Sequence, residues 1–288
     1  MNNIIKNTAI KLLKLAATRL PMDVEMALIT AKEREETYMG KVQLEAILKN
    51  IELAKKSSKP ICQDTGTIYY YLKAGDKFKE LGKLNDIMIT ATKRATEEIP
   101  LRPNAVDLLK GNTGNNIGKD FPYIFWDIVP GDALEMTVFL KGGGSENVSL
   151  LRLCNPSENL NGIKRTVIHS VAEAGKACPP LFIGVAVAGG ADIAMILAKK
   201  ALLRPVGLRH PEKKIAQLEE ELLDLLNELG VGVMGLGCGP TVLDVHFDYG
   251  CRHPASFPVA INICCWASRR SSAKIYSNGK VEFLTHYL

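Results

Sequence analysis

The feature that most constrains the fold is a continuous apolar segment in the second half of the chain. Leu181 to Ala188 carries no charged residue and ends at Gly189-Gly190. A short run of this kind is typical of a strand that is buried on both faces. Amphipathic stretches at about 162–174, 193–203 and 212–229 predict helices around it.

The rest of the chain mixes helical and strand patterns. The first hundred residues are predicted to be mainly helical, and they are followed by segments of both types. We expect strands at 68–72, 123–129, 134–140, 243–249 and 258–264, with a hairpin joining the second and third of them and another hairpin around Asn278-Gly279. Asp244, His246 and Asp248 alternate with apolar residues, which favours a half-buried strand. No repeat or linker is visible, so we predict one compact unit of α+β class.

Composition excludes several classes of function. The 288 residues are 47% hydrophobic, and their net charge of +5 is spread without a basic block, so nucleic acid is not indicated. There is no apolar run of about 18 residues and no signal-peptide core, which predicts a cytoplasmic protein without a membrane partner. The seven cysteines are expected to be reduced thiols, because a protein of this size needs no disulfides.

Three cysteines occupy positions beside glycine or proline or at a strand end. They are Cys62, Cys178 and Cys265, whereas Cys154 and Cys264 lie within apolar runs and suit packing. The compact spacing that marks zinc sites is absent. From spacing alone, a packing role is therefore favoured for all five, and a metal site remains the alternative.

Other candidate site residues also permit two interpretations. Asp64 could act as an acid or base or bond its own turn, and its neighbour Gln63 could donate an amide hydrogen. Arg102 lies between two prolines and could clamp a carboxylate or form a surface ion pair. His253, in the loop entering the strand that ends near Cys265, could face the same cleft or be an ordinary loop histidine. The glycines of 142–144 permit close approach of an anion but do not form a P-loop.

Taken together, the short motifs of the chain are more specific than any one of them. They are Pro60–Gly66, Leu101–Asn104, Asn112–Gly114, Lys141–Asn147, Cys178–Pro180, Met234–Gly237 and His253–Cys265, the last followed by Trp266 and Arg269-Arg270. In this order, over nearly the whole chain, they resemble the α subunit of the two-subunit class I fumarate hydratases and L-tartrate dehydratases.

The resemblance implies a cofactor and a reaction. It implies a [4Fe-4S] cluster held by Cys62, Cys178 and Cys265, with the fourth iron open to substrate. The implied reaction is reversible hydration of fumarate to L-malate, and the alternative is dehydration of L-tartrate to oxaloacetate. The residues implied to bind the dicarboxylate are Gln63, Asp64, Arg102, Gly143, Gly144 and His253, of which Asp64 and His253 are the implied catalytic groups.

The chain also departs from the single-chain members of that family. Their C-terminal domain, which supplies a threonine base and further cationic groups, has no counterpart in residues 1–288. We therefore expect these residues to form an alpha-type catalytic domain that pairs with a β subunit in a hetero-oligomer. Asn115 stands where an aspartate is expected. A noncatalytic metal- or anion-binding regulatory subunit is the competing hypothesis.

Overall fold

Helices and strands alternate along the chain much as the apolar patterns predict. The computed structural model describes residues 1–175 and 177–286. Its helices are α1 (Asn2–Thr18), α2 (Met22–Arg34), α3 (Tyr38–Ser57), α4 (Leu84–Glu98), α5 (Gly143–Glu146), α6 (Asn159–Ala172), α7 (Ala191–Ala201) and α8 (Lys213–Asn227). Its strands are β1 (Thr67–Gly75), β2 (Val106–Asp107), β3 (Gly111–Asn112), β4 (Tyr123–Val129), β5 (Leu134–Lys141), β6 (Leu150–Leu153), β7 (Leu181–Gly189), β8 (Val242–Arg252), β9 (Pro258–Cys264), β10 (Arg269–Ile275) and β11 (Val281–Phe283). The predicted α+β class is confirmed.

Within this fold the chain divides into two compact units, each with its own core. The first contains Met1–Met22, Asn50–Gly142 and the chain from Arg269 onward, and the second contains Asp23–Lys49 and Gly143–Ser268. One boundary, between residues 49 and 50, falls inside α3. Because a unit boundary can lie within a regular helix, the sequence shows no change of composition there.

The sheet of the first unit corrects one predicted hairpin. Its strand order is β11-β10-β5-β1-β4. Strands β4 and β5 do follow each other in the chain, but β1 lies between them, parallel to β4 and antiparallel to β5. The buried segment 68–72 of β1 gains a neighbour on each side, which a local turn signal cannot reveal. The predicted hairpin around Asn278-Gly279 is confirmed as β10 and β11.

Helices α1 and α4 supply much of the core of the first unit, together with β1, β5 and β10. Leu12, Leu84 and Leu72 are among its fully buried members. Tyr70 is buried too, and its hydroxyl lies 2.9 Å from Thr92 Oγ1. Burial raises the pKa of Tyr70 above its ordinary value, so this hydroxyl stays neutral and serves packing.

The second unit is built around the apolar segment that dominates the sequence. Its sheet has the order β6-β9-β7-β8, and β7 is an interior strand that is buried almost throughout. Apolar side chains of α6 and α8 join one core cluster with this sheet, and alanines of α7 join another. A strand enclosed in this way needs no polar face, which confirms the prediction made for 181–188.

Strand β8 differs from the half-buried strand that the alternation predicts. Asp244 and His246 are buried rather than exposed. His246 Nδ1 lies 3.1 Å from the carbonyl oxygen of Ala201, at the end of α7, and Arg209 pairs with Asp244. Asp244 and His246 therefore face polar partners instead of solvent. None of the helices in the described ranges combines the length and apolar character needed to cross a membrane.

Candidate functional site

The loop between α3 and β1 carries three of the predicted site residues of the first unit. Cys62 and Asp64 are half-buried and Gln63 is exposed. Asp64 Oδ1 accepts the N–H of Gly66 at 2.8 Å, which confirms the turn role considered for this aspartate. Gly66 has a φ of +86°, and a Cβ there would lie 2.9 Å from the backbone of Leu140. The loop is therefore packed tightly against the end of β5.

Arg102 lies on a neighbouring loop that is tied to the first. Its N–H donates to Thr65 Oγ1 at 3.0 Å, and Asn104 Nδ2 donates to the carbonyl of Gly66 at 3.0 Å. The Arg102 side chain is exposed. A guanidinium on a fixed backbone beside Asp64 suits bidentate binding of a carboxylate.

Asn116 fixes the Arg102 loop from its other side. This buried amide donates to the carbonyl of Arg102 at 2.9 Å and accepts the N–H of Asn104 at 2.7 Å. Sequence reasoning assigned no role to Thr65, Asn104 or Asn116, although each lies in or beside one of the recognised motifs. Asn115 accepts the N–H of Ile117 at 3.0 Å, and nothing in the structure explains why it replaces the expected aspartate.

Arg269 follows the last of the sequence motifs, but the sequence predicts no role for it. It is buried at the start of β10, and its Nη1 donates to the carbonyl oxygen of Asp64 at 2.5 Å. A buried guanidinium that binds a backbone oxygen holds the loop in place. Arg269 is therefore a positioning residue for the Cys62–Gly66 loop.

In the second unit, Cys178 and Cys265 lie at the same end of the sheet. Cys178 precedes β7, and Cys265 follows β9, whose last residue pairs with Phe182 at the start of β7. The N–H of Trp266 donates to the carbonyl of Cys178 at 3.3 Å. Cys178 is exposed and has a left-handed φ of 55°, and Cys265 is half-buried. The structure thus brings these two predicted ligands together.

The glycine-rich loop approaches the same end of that sheet. Gly143 and Gly144 are exposed in α5, a single helical turn. Shortly after it, Ser149 Oγ accepts the N–H of Ile263, two residues before Cys265, at 3.4 Å. Lys199 Nζ of α7 lies 2.6 Å from Glu146 Oε1 and holds this turn in place.

His253 does not lie at the end of the sheet where Cys178 and Cys265 are found. It is exposed in the loop between β8 and β9, and β9 runs from there toward Cys265. Seven residues of strand span roughly 20 Å at about 3.3 Å per residue. Within this unit His253 and Cys265 therefore lie at opposite ends of one extended strand, and the role of His253 in the site stays a prediction.

The five cysteines for which the sequence offers an interpretation differ in exposure as their positions predict. None is in a disulfide; Cys154 and Cys264 are buried, whereas Cys62, Cys178 and Cys265 are at least partly exposed. Cys62 belongs to the first unit and the other two predicted ligands to the second. Among residues 1–175 and 177–286, no group of three or more His, Cys, Asp and Glu side chains is gathered as a metal site.

Comparison with known proteins gives a consistent result. A family model described as fumarate hydratase (Fumerase) matches residues 6–274. A Methanocaldococcus jannaschii protein, named provisionally as an L(+)-tartrate dehydratase subunit alpha, is 42% identical over 96% of this chain and 99% of its own length. The L(+)-tartrate dehydratase subunit alpha of Escherichia coli strain K12 is 38% identical over 94% of this chain and 90% of its own length.

The matches cover both units and nearly every motif described above. The family model alone extends from Lys6 to Lys274, which includes the Cys62–Gly66 loop, Arg102, the glycine-rich loop and the two predicted cysteine ligands of the second unit, Cys178 and Cys265. The chain therefore belongs to the fumarate hydratase (Fumerase) family.

Proposed function

We propose that the chain is the α-type subunit of a hydro-lyase that adds water to, or removes it from, a four-carbon dicarboxylate. The observation that carries this proposal is the family match over residues 6–274. The relatives that share about 40% of its residues are named as alpha subunits, which supports a β-type partner and a hetero-oligomer. We propose a cytoplasmic location, since seven cysteines without a disulfide suit a reducing compartment.

A substrate carboxylate would bind at Arg102. Its guanidinium is exposed while its backbone is tied to Thr65 and Asn116, so the side chain but not the loop has to be ordered when an anion binds. Gln63 is exposed on the adjoining loop and would donate an amide hydrogen. Asp64, which is half-buried in the same loop and holds its turn through the N–H of Gly66, would accept or relay a proton next to the substrate.

Cys62, Cys178 and Cys265 fit the donor set of a [4Fe-4S] cluster. They are the accessible thiols among the candidates, and a thiolate must be accessible to bind iron. When bound, a cluster with one iron lacking a cysteine ligand supplies a Lewis acid to the reaction.

The remaining groups of this chain would shape the site. Gly143 and Gly144 leave room for backbone N–H groups to approach a second carboxylate. The base that removes the proton from carbon, and further cations, would come from the β-type subunit, as the family resemblance implies. The α chain alone should therefore be inactive.

Fumarate is the substrate that the family description favours, and L(+)-tartrate is the second candidate. The latter is favoured by the printed names of the curated relatives. The two substrates differ in hydroxyl groups, and a site built to bond a hydroxyl rejects the analogue that lacks it by a large factor. A side-by-side assay should therefore give one clear preference.

The test of the proposed activity is an anaerobic reconstitution of the chain with its β-type subunit, iron and sulfide. We expect loss of the alkene absorbance of fumarate or formation of oxaloacetate from tartrate by the pair, with neither subunit active alone. Binding of the β-type subunit without turnover of either acid would instead favour a noncatalytic regulatory subunit.

The ligand assignment has its own test in cysteine variants. Each of three single variants should lose the visible absorbance and most of the iron of a [4Fe-4S] cluster. They are Cys62→Ser, Cys178→Ser and Cys265→Ser. Cys264→Ser is the matched control, since Cys264 is next to Cys265 in the sequence but is buried in the fold. Equal iron content in all four variants would contradict the assignment.

A further inference from the structure

A small hairpin of the first unit presents apolar side chains to solvent. Strands β2 and β3 form a two-stranded sheet, with Val106 paired to Asn112. Val106, Leu108 and Leu109, here called the leucine tip, are 69%, 96% and 91% exposed. Single exposed leucines are common, but three neighbouring apolar side chains at this exposure mark an interaction surface.

The leucine tip is held in shape by its own hydrogen bonds. Asp107 Oδ1 accepts the N–H groups of Leu109 at 2.9 Å and Lys110 at 2.8 Å. The base is closed by the N–H of Thr113, which donates to the carbonyl of Ala105 at 2.9 Å. A turn that is already ordered loses little conformational entropy when it binds a partner.

The hairpin is also joined to the loop that carries Arg102. Asn112 Nδ2 donates to the carbonyl of Pro103 at 2.6 Å. Arg102 and Asn104 are in turn bound to the buried amide of Asn116. The leucine tip and the proposed carboxylate anchor are therefore parts of one hydrogen-bonded segment.

We infer that the leucine tip is a docking element for the β-type subunit and inserts into an apolar pocket of that partner. This inference rests on the proposed function, in which the β-type subunit delivers a base to a substrate bound at Arg102. A partner that reaches Arg102 must cover the surrounding surface, and the hairpin forms part of that surface. Burial of exposed leucine side chains supplies the free energy for such a contact.

The test compares two double variants of the chain, each co-expressed with the β-type subunit of the same source. Leu108→Asp with Leu109→Asp should reduce the amount of β-type subunit retained on the tagged chain by at least about tenfold, which corresponds to about 1.4 kcal/mol. The control is Leu153→Asp with Leu160→Asp, two leucines of the second unit that are 67% and 55% exposed. The control should retain the partner as the unchanged chain does.

Folding is checked by the unfolding temperature and iron content of each variant chain alone, which should match those of the unchanged chain. Undiminished retention of the β-type subunit by the tip variant would overturn the inference. So would a tip variant that loses only self-association in sedimentation, since a second copy of the chain would then occupy the tip. Because retention is measured without substrate, a pair that binds through the tip but lacks turnover contradicts the proposed function alone.

Discussion

Asn104 connects the two loops that form the candidate site of the first unit. Its side-chain amide donates to Thr65 Oγ1 at 3.2 Å and to the carbonyl of Gly66 at 3.0 Å, and its N–H donates to Asn116. It is half-buried beside the exposed Arg102. Asn104 is thus placed to set the position of Arg102 without contacting the substrate itself.

Replacing Asn104 by Ala should raise the KM of the reconstituted enzyme for its dicarboxylate by about tenfold. The expected loss is of the order of 1–2 kcal/mol, because the side-chain hydrogen bonds between the loops are removed. The kcat should change much less if Asn104 acts through Arg102. Asn161→Ala is the control, since Asn161 is exposed on α6, and an unchanged KM for Asn104→Ala would refute the positioning role.

At the scale of elements, the contact between β7 and α7 depends on a missing side chain. A Cβ at Gly184 would lie 2.0 Å from the carbonyl oxygen of Ala198 and 3.0 Å from Leu202 Cγ. The first obstacle is helix backbone, which cannot rotate away as a side chain can. Gly184 therefore determines how closely α7 packs on the sheet that carries Cys178 and Cys265.

Gly184→Ala should lower the free energy of unfolding by about 1–3 kcal/mol or more, as overpacking does in other cores. For a chain of this size, the unfolding temperature should fall by about 2–4 °C per kcal/mol. Gly175→Ala is the control, because a Cβ there meets nothing within 4 Å. Equal unfolding temperatures for the two variants would show that α7 moves aside without cost.

A second feature at the scale of elements is the way in which the backbone groups at the outer edge of β8 are hydrogen-bonded. On this side its backbone is hydrogen-bonded to side chains rather than to another strand. The N–H groups of Val245, Phe247 and Tyr249 donate to the carboxylates of Asp244, Glu219 and Asp248, respectively. The carbonyl oxygens of Val245 and Phe247 accept from Arg209 and Arg204, respectively. An edge that is bonded in this way is blocked from pairing with another chain.

At the scale of the whole molecule, the carboxylate of Asp244 at this charged edge makes the free energy of unfolding depend on pH. Asp244 is buried, which opposes its ionisation, but the hydrogen bond and charge of His246, the N–H of Gly207 and Arg209 outweigh burial and hold its pKa below the ordinary value. Ionised Asp244 therefore stabilises the fold above about pH 4, the ordinary range of an unfolded aspartate. That contribution is lost as the pH falls through the lowered pKa of the folded state.

Asp244→Asn should reduce the free energy of unfolding near neutral pH by roughly 3 kcal/mol, because Arg209 loses a buried partner. Below about pH 4 the difference between the variant and the unchanged chain should shrink. Denaturant unfolding between pH 7 and pH 3 measures both effects, with the exposed Asp224→Asn as control. A difference that stays constant over this range would show that Asp244 is not linked to acid stability.

Local patterns were sufficient to determine most of the elements and the family. The apolar run of β7, the bounds of β9 and the turn at Asn278-Gly279 are features of neighbouring residues, so the sequence alone predicts them. The same holds for the buried Cys154 and Cys264, which lie inside apolar runs.

Only the tertiary structure decided which distant segments meet. Strand β1 lies between β4 and β5 in the sheet, and Asp244 is buried against charged partners. His253 and Cys265 lie at opposite ends of β9. Asn104 and Arg269 gain their roles from contacts with the Cys62–Gly66 loop, far away in the sequence. Pairing between such segments depends on packing free energies summed over the whole fold, and no local pattern of residues records that sum.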